Sequence, residues 1–513
     1  MATFFDNKDR RVIPNFRSLK KTVELGELDI SLKKTDEFPK DNIEDYFVDF
    51  LNNESLSYAG DLISAAIVND LTDNEIVLKA AKFILERKNT STIQQIESAS
   101  KILKLNFIDT NVVNVKINKI DDFLEYNLSN EIHNRINQLK RGLLLFDKNP
   151  FAYSELARLY SIIGKKEQSI KNMRIAKHLA PHNRYILRSF ARLMSHYGDT
   201  DESHNALRKN SLTKFDPWLI ASEIAISSLR NKTSNFIKFG NQILTSKKFN
   251  AFSISELASS LGTVELINGS HKKSRSFFET ALISPNDNSL AQVEWANNIE
   301  HYFELDVNKY QGSNNYEAVT LSAYDQHEWK KTLENAEKWF IDMPFAKRPI
   351  MFGHHVASFF LENHESGIKF CKAGLISNPH DPEILNNIAY SYAMSGDPEN
   401  AFEYLNKINL HDVMEDKHRI CLLATKGLAY YKSNLREEGR NFYFQAMKEA
   451  KQKGFKYYYN SALMNFALQE LQFSSPESAL LIDEIEKIPD DGNIDIITLK
   501  SRIREYLKKK KNT

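Results

Sequence analysis

The sequence predicts an all-α protein, a solenoid of helix hairpins preceded by a helical region of another kind. Three observations carry that expectation. Only 17 Gly and 13 Pro punctuate 513 residues, too few for a turn-rich all-β fold and suited to helices joined by short loops. Apolar residues recur at helical spacing over most of the chain beyond Asn42. Parts of the chain also repeat one another with a period of 34 residues, the mark of stacked supersecondary units. A chain this long exceeds one ordinary compact domain, so several domains or an elongated array are expected. Its 42% apolar and 26% charged residues are normal for a folded protein.

Residues 1–42 lack helical periodicity and are read as an N-terminal tail. Arg10, Arg11, Arg17, Lys20 and Lys21 outweigh Asp6 and Asp9, and Leu28, Ile30 and Leu32 alternate as in a short edge strand. The tail is either loosely held or docks onto a partner. Residues 43–147 form a helical N-terminal region or cap, with Ser55 and Asp73 standing where N-caps would. A solenoid needs its first apolar face covered, which gives such a cap a physical purpose. Within it, 105–120 is rich in β-branched residues and reads as an irregular joint.

The repeat is clearest from Pro150 to Pro181, which places Tyr153, Leu156, Ala157, Tyr160, Gly164, Ser169, Met173, Ala176 and Pro181 in order. A shift of 34 residues lands on Leu187, Phe190, Ala191, Met194, Gly198, Ser203 and Leu207. Small residues fall where two helices cross and let the axes approach to roughly 8–10 Å. Large residues fill the space between hairpins, and Gly164 and Gly198 sit past a helix end, where left-handed backbone suits glycine. A third unit starts at Pro382 with Leu385, Ile388, Ala389, Tyr392, Gly396, Ala401 and Leu405. There Asp397 caps a helix whose first position is Pro398.

At these slots the chain resembles the tetratricopeptide (TPR) family, whose own period is 34 residues. The second unit departs from the pattern, with Phe215 in the proline slot and Pro217 two residues later. On this basis 148–480 is a TPR-like solenoid with degenerate repeats around 221–345, and 481–513 is a C-terminal capping helix with a basic end, Lys508 to Lys511. Lysines there suit the helix macrodipole and read as a solvated terminus.

The chemistry-bearing motifs point away from catalysis. No Gly-rich phosphate loop or nucleophile elbow occurs in the sequence. His354 and His355 lie near Glu362, His364 and Glu365, but without HExxH spacing, and adjacent residues point about 100° apart on a helix. They read as packing residues, as do Cys371, Cys421, Trp295, Trp329 and Trp339. The chain is therefore expected not to be an enzyme and to need no cofactor or metal. A net charge of +1 gives no global pull toward nucleic acid or membrane, so nucleic acid is not expected as a direct ligand. No apolar run reaches membrane-spanning length, and two cysteines suit a reducing compartment, so a cytoplasmic location is expected.

The resemblance implies that a ligand lies along the concave face made by the first helix of each hairpin. Carried onto this sequence, the slots give Arg158, Tyr185, Arg188, Arg192 and His196, and in the third unit Asn386 and Tyr390. The arginines would form a basic track able to hold carboxylates through paired hydrogen bonds. That implies a protein or peptide partner carrying acidic residues or a free C-terminus; the alternative is that these arginines are ordinary solvated residues. The expected function is a scaffold or adaptor, as a subunit of a multi-protein complex. Two alternatives stay open: a peptide-sensing cytosolic regulator, and an enzyme whose site lies in the irregular regions.

Overall fold

The computed structural model describes residues 43–512, apart from 69–70, 88–89, 104–118, 125, 146, 247, 304, 311–314, 410–414, 474, 476–477 and 490–491. The tail at 1–42 and most of the joint at 105–120 lie outside the described residues. Among the described residues no strand forms, and the regular elements are helices. None of these helices is long and apolar enough to cross a membrane. Two compact units are present: an N-terminal one that runs to His327 and also holds Lys338–Phe345, and a C-terminal one made of Glu328–Glu337 and Ala346 onward.

The N-terminal unit begins with α1 (Ile43–Asn52), α2 (Leu56–Val68), α3 (Glu75–Glu86) and α4 (Ile93–Ile102). They close around Phe50, Leu62, Ala66, Val77 and Ile84. Ser55 accepts the Tyr58 amide as expected, whereas the cap of α3 is Asn74, one residue after the expected Asp73. After α5 (Ile120–Leu124) and α6 (Tyr126–Leu145) come helix pairs: α7 (Pro150–Ile162) with α8 (Lys166–Leu179), and α9 (Arg184–His196) with α10 (Thr200–Arg208). The poorly matched stretches continue the scheme. They supply α11 (Pro217–Leu229) with α12 (Ile237–Ser246), α13 (Ala251–Ile267) with α14 (His271–Leu282), and α15 (Asp287–Glu300) with α16 (Tyr316–Asp325). Helix α17 (Trp329–Asp342) follows, its first part, to Glu337, belonging to the C-terminal unit and its last turn to the N-terminal one.

The C-terminal unit opens with α18 (Lys347–His355), which runs on into a π-helical turn, Val356–Phe360, and pairs with α19 (His364–Ser377). The pairs α20 (Pro382–Met394) with α21 (Pro398–Asn406), α22 (Asp416–Lys432) with α23 (Arg436–Gln452), and α24 (Lys456–Gln472) with α25 (Ser478–Glu486) follow. Helix α26 (Ile494–Asn512) ends the unit.

Local chemistry explains the hairpins. Asn149, Asp216, Asp381 and Asp397 each cap a helix whose first residue is proline, so a missing N–H costs nothing there. Gly164, Gly198 and Gly396 turn the chain with φ of 69°, 84° and 84°. Where the paired helices cross, the small slots also bond. Ser169 Oγ donates to the Ala157 carbonyl at 2.7 Å, Ser203 Oγ to Ala191 at 3.0 Å, and Ser274 Oγ to Gly262 at 2.9 Å. In each case donor and acceptor are 12 residues apart. The α22–α23 pair uses bare glycine instead: a Cβ on Gly439 would come within 2.5 Å of the Tyr431 ring.

Candidate functional site

The structure brings Arg158, Tyr185, Arg188, Arg192 and His196 together on α7 and α9 of the N-terminal unit, and supplies counter-charges to Arg158 and Arg188 from the same unit. Arg158 is 9% exposed and holds Glu155 with two hydrogen bonds, of 2.9 and 2.7 Å. Burial disfavours its cation, but Glu155 and the charge of Asp342 outweigh that and keep its pKa above the ordinary value. Arg188 donates to Glu256 at 2.5 Å and stands over the Trp218 ring at 4.9 Å. Glu256 is held from its other side by Asn286, at 2.8 Å. Tyr185 lies against Phe151, and burial followed by the charge of Glu155 pushes its hydroxyl well up. Arg192 and His196 meet Phe345, at 6.0 and 5.2 Å between centres, and Phe345 itself is fully buried. The predicted basic track is thus an internally paired face, partly covered by the unit's own 338–345 segment.

Asn386 and Tyr390 belong to the C-terminal unit and line a cavity of about 70 Å³ there. The first helix of each successive pair reaches it through residues one helical turn apart. Helix α20 contributes Asn386 and Tyr390, α22 contributes Cys421 and Thr425, and α24 contributes Tyr457, Ser461 and Asn465. Helix α18 brings His354 and His355, and the π turn adds Ser358 and Phe359. Such single-turn π segments occur frequently at functional sites. The carbonyl of Phe359, at the end of the π turn, accepts from Arg502 of α26, which also pairs with Glu362 at 2.7 Å.

The two histidines point to different partners, as their adjacency on a helix demands. His354 Nε2 is 2.9 Å from Ser391 Oγ, which in turn is 2.7 Å from Ser358 Oγ. Burial first, then the neighbouring His355, lowers the His354 pKa to about 3. His355 Nε2 is 3.3 Å from Asp495 Oδ1, and Tyr457 donates to Asp495 Oδ2 at 2.5 Å. Thus α26 is tied to the cavity wall through Asp495 and Arg502. Among the described residues, no Asp, Glu, Lys or Arg lines the cavity.

Two polar atoms in this lining have no partner. Asn386 Oδ1 and Ser461 Oγ make no hydrogen bond, and both residues are 7% exposed. A buried polar group without a partner costs roughly 1–3 kcal/mol, so such atoms call for an explanation. Carrying over repeat slots located Asn386 and Tyr390 but missed Ser461, Thr425 and Asn465. A polar row one turn apart on an otherwise apolar helix, Tyr457–Ser461–Asn465, is the signal that could have found them.

The hairpins, their glycine turns and their 12-residue cross-bonds give the chain a TPR-like, all-helical repeat fold. No protein-family model and no curated protein matches the chain. Among solved structures it is similar to the crystal structure of yeast Tom70, at 13% identity and a TM-score of 0.29, over 78% of this chain and 97% of that one. It is also similar to the crystal structure of the APC/C hetero-tetramer Cut9–Hcn1, at 12% identity and a TM-score of 0.38, over 90% and 98% of the two chains.

Proposed function

We propose that this chain is a protein-binding scaffold or adaptor that receives a partner protein or peptide on the first-helix face of its hairpin array, as one subunit of a larger assembly. The observation that carries this is the cavity where α18, α20, α22 and α24 converge, largely apolar but with Asn386 and Ser461, whose Oδ1 and Oγ are unpaired, among its lining residues. A binding role is favoured over catalysis by the state of His354. With a pKa of about 3 it is a poor base at neutral pH, whereas a general base works best near the operating pH. The existing ion pairs of Arg158 and Arg188 argue against a free carboxylate track, since an acidic ligand would first have to displace Glu155 and Glu256.

Affinity purification of the full chain from its native cells tests this reading. A stoichiometric protein should co-purify with the wild type and be lost from an Asn386→Leu/Tyr390→Ala double variant that keeps its helical circular dichroism. Recovery of the same partner at the same yield from that variant would move the binding face elsewhere.

A further inference from the structure

We propose that His204 and Arg230 form a proton-operated latch at the joint between the α9–α10 and α11–α12 hairpins, shut while the imidazole is neutral and released when it takes a proton. The latch follows from which atoms can donate. His204, on α10, is 8% exposed. Its Nδ1 lies 2.6 Å from a guanidinium nitrogen of Arg230, and its Nε2 lies 3.2 Å from Glu223 Oε1. Arginine has only N–H donors, so Nδ1 must offer its lone pair, and the single ring proton sits on Nε2 and is donated to Glu223. Both ring nitrogens are engaged, and only the neutral ring satisfies both partners.

These partners tie three pieces of chain together. Glu223, on α11 and 1% exposed, also accepts Ser227 Oγ at 2.9 Å and Ser234 Oγ. Ser234 stands in the turn that leads to α12, where its Oγ accepts the Phe236 amide at 3.0 Å. Arg230 follows the last turn of α11 as its C-cap and reaches back to Asp201 of α10. One cluster therefore holds α10, the end of α11 and the turn beyond it.

Protonation breaks the cluster at one point. A second N–H, at Nδ1, would face the N–H donors of Arg230, and cation would meet cation. The buried Glu223 retains the imidazolium, whereas Arg230 can leave, because the Asp201 side chain it also holds is 73% exposed. The end of α11 then loses its tie to His204. Arg208, on α10 itself, adds to the positive charge acting on the ring. The charged groups of the neighbouring elements are engaged elsewhere: Arg174 of α8 with Glu202, and, on α9, Arg184 with Asp216, Arg188 with Glu256, and Arg192 and His196 against Phe345. Lys232, in the turn, is exposed. Burial is the largest influence on His204 and, with Arg230 and Arg208, outweighs Glu223 to keep its pKa below the ordinary 6.5. The opened chain takes up a proton near that pH which the shut latch refuses, so the joint loses stability as the pH falls through 6.5.

The test uses the full chain labelled with carbon-13 at histidine Cε1, the His204 signal being the one missing from His204→Gln. In the wild type that signal should titrate below pH 6.5, and in Arg230→Met, which leaves Glu223 in place, at a higher pH than in the wild type. Hydrogen exchange, corrected for its intrinsic pH dependence, should show protection of α10 and of residues 226–236 falling several-fold between pH 7.5 and 5.5, with α1 to α4 unchanged. His204→Gln, whose amide can donate to Glu223 and accept from Arg230 without titrating, should keep its protection at both pH values. An acid response of the same size in His204→Gln would overturn the inference. So would a wild-type His204 signal that titrates at or above pH 6.5, or one that Arg230→Met leaves where it was. Should His204→Gln lack the helical circular dichroism of the wild type, the two titrations decide by themselves.

Discussion

Two buried glutamates show how neighbours decide what burial does. Glu470 is fully buried, and burial alone would raise its pKa; Arg440, Ser475 and Tyr431 outweigh it and hold the group at about 2. Arg440 grips both carboxylate oxygens, at 2.9 and 2.7 Å. Glu294 is 3% exposed, has no cation beside it, and is pushed up to about 7 by burial, with Asp325 adding to the rise. Arg436 also stands 3.8 Å from Glu470, so replacing Arg440 with Met should destabilise at neutral pH by less than the about 3–5 kcal/mol of a fully stranded buried charge, by about 2–3 kcal/mol. The pH dependence follows from the sign of the shift. A depressed carboxylate stabilises the fold above its unfolded pKa, and that contribution is lost as the pH falls from about 4.5 through about 2. Denaturant titrations should show the gap between wild type and Arg440→Met widest at pH 7 and shrinking below pH 4. A gap independent of pH would mean that Arg440 acts by packing alone.

At the scale of the helix pair, the sequence pattern small-against-small becomes a bond in one place and a contact in another. Ser169, Ser203 and Ser274 each donate across their hairpin, so at these three crossings the small slot also carries a bond, whereas Ala401 and Gly439 fill it by volume alone. Ser169→Ala should cost about 1 kcal/mol, the net worth of one such bond. Gly439→Ala should cost more, about 1–3 kcal/mol, because the new methyl meets the Tyr431 ring at 2.5 Å and the Gly427 carbonyl at 3.0 Å. Gly142, inside α6, has open space around it, and its replacement by Ala should stabilise by about 0.5–1 kcal/mol. Urea midpoints of the three variants check the order; Gly439→Ala as mild as Ser169→Ala would mean that the α22–α23 crossing is loose enough to open.

For the whole molecule, stacked hairpins imply that each unit is supported mainly by its neighbours, so stability is local. The cluster around Phe50, Ala66 and Ile84 and the cluster around Tyr431, Tyr443 and Phe466 are separate cores in separate units. Hydrogen exchange should accordingly rise in α22 to α26 of the Gly439→Ala protein and stay unchanged in α1 to α4. Equal acceleration in both regions would show that the chain unfolds as one cooperative body.

What the sequence determined by itself is whatever is settled within a turn or two of chain. The caps at Asn149 and Asp397, the glycine turns at 164, 198 and 396, and the small slots of the clear repeats were all legible, because each depends on bonds among near neighbours. The third-unit slots also pointed to Asn386 and Tyr390, which line the cavity. Tertiary structure decided the rest. Arg188 finds Glu256 across 68 residues, and His355 finds Asp495 across 140, so no local pattern could show which cations were already paired or that α26 would close against the cavity wall. Those pairings depend on how one hairpin stacks on the next, a sum of many small contacts that no single segment carries. The same stacking leaves Asn386 Oδ1 on α20 and Ser461 Oγ on α24 unpaired. Each side chain is set by its own helix, and the space between them by the packing of four.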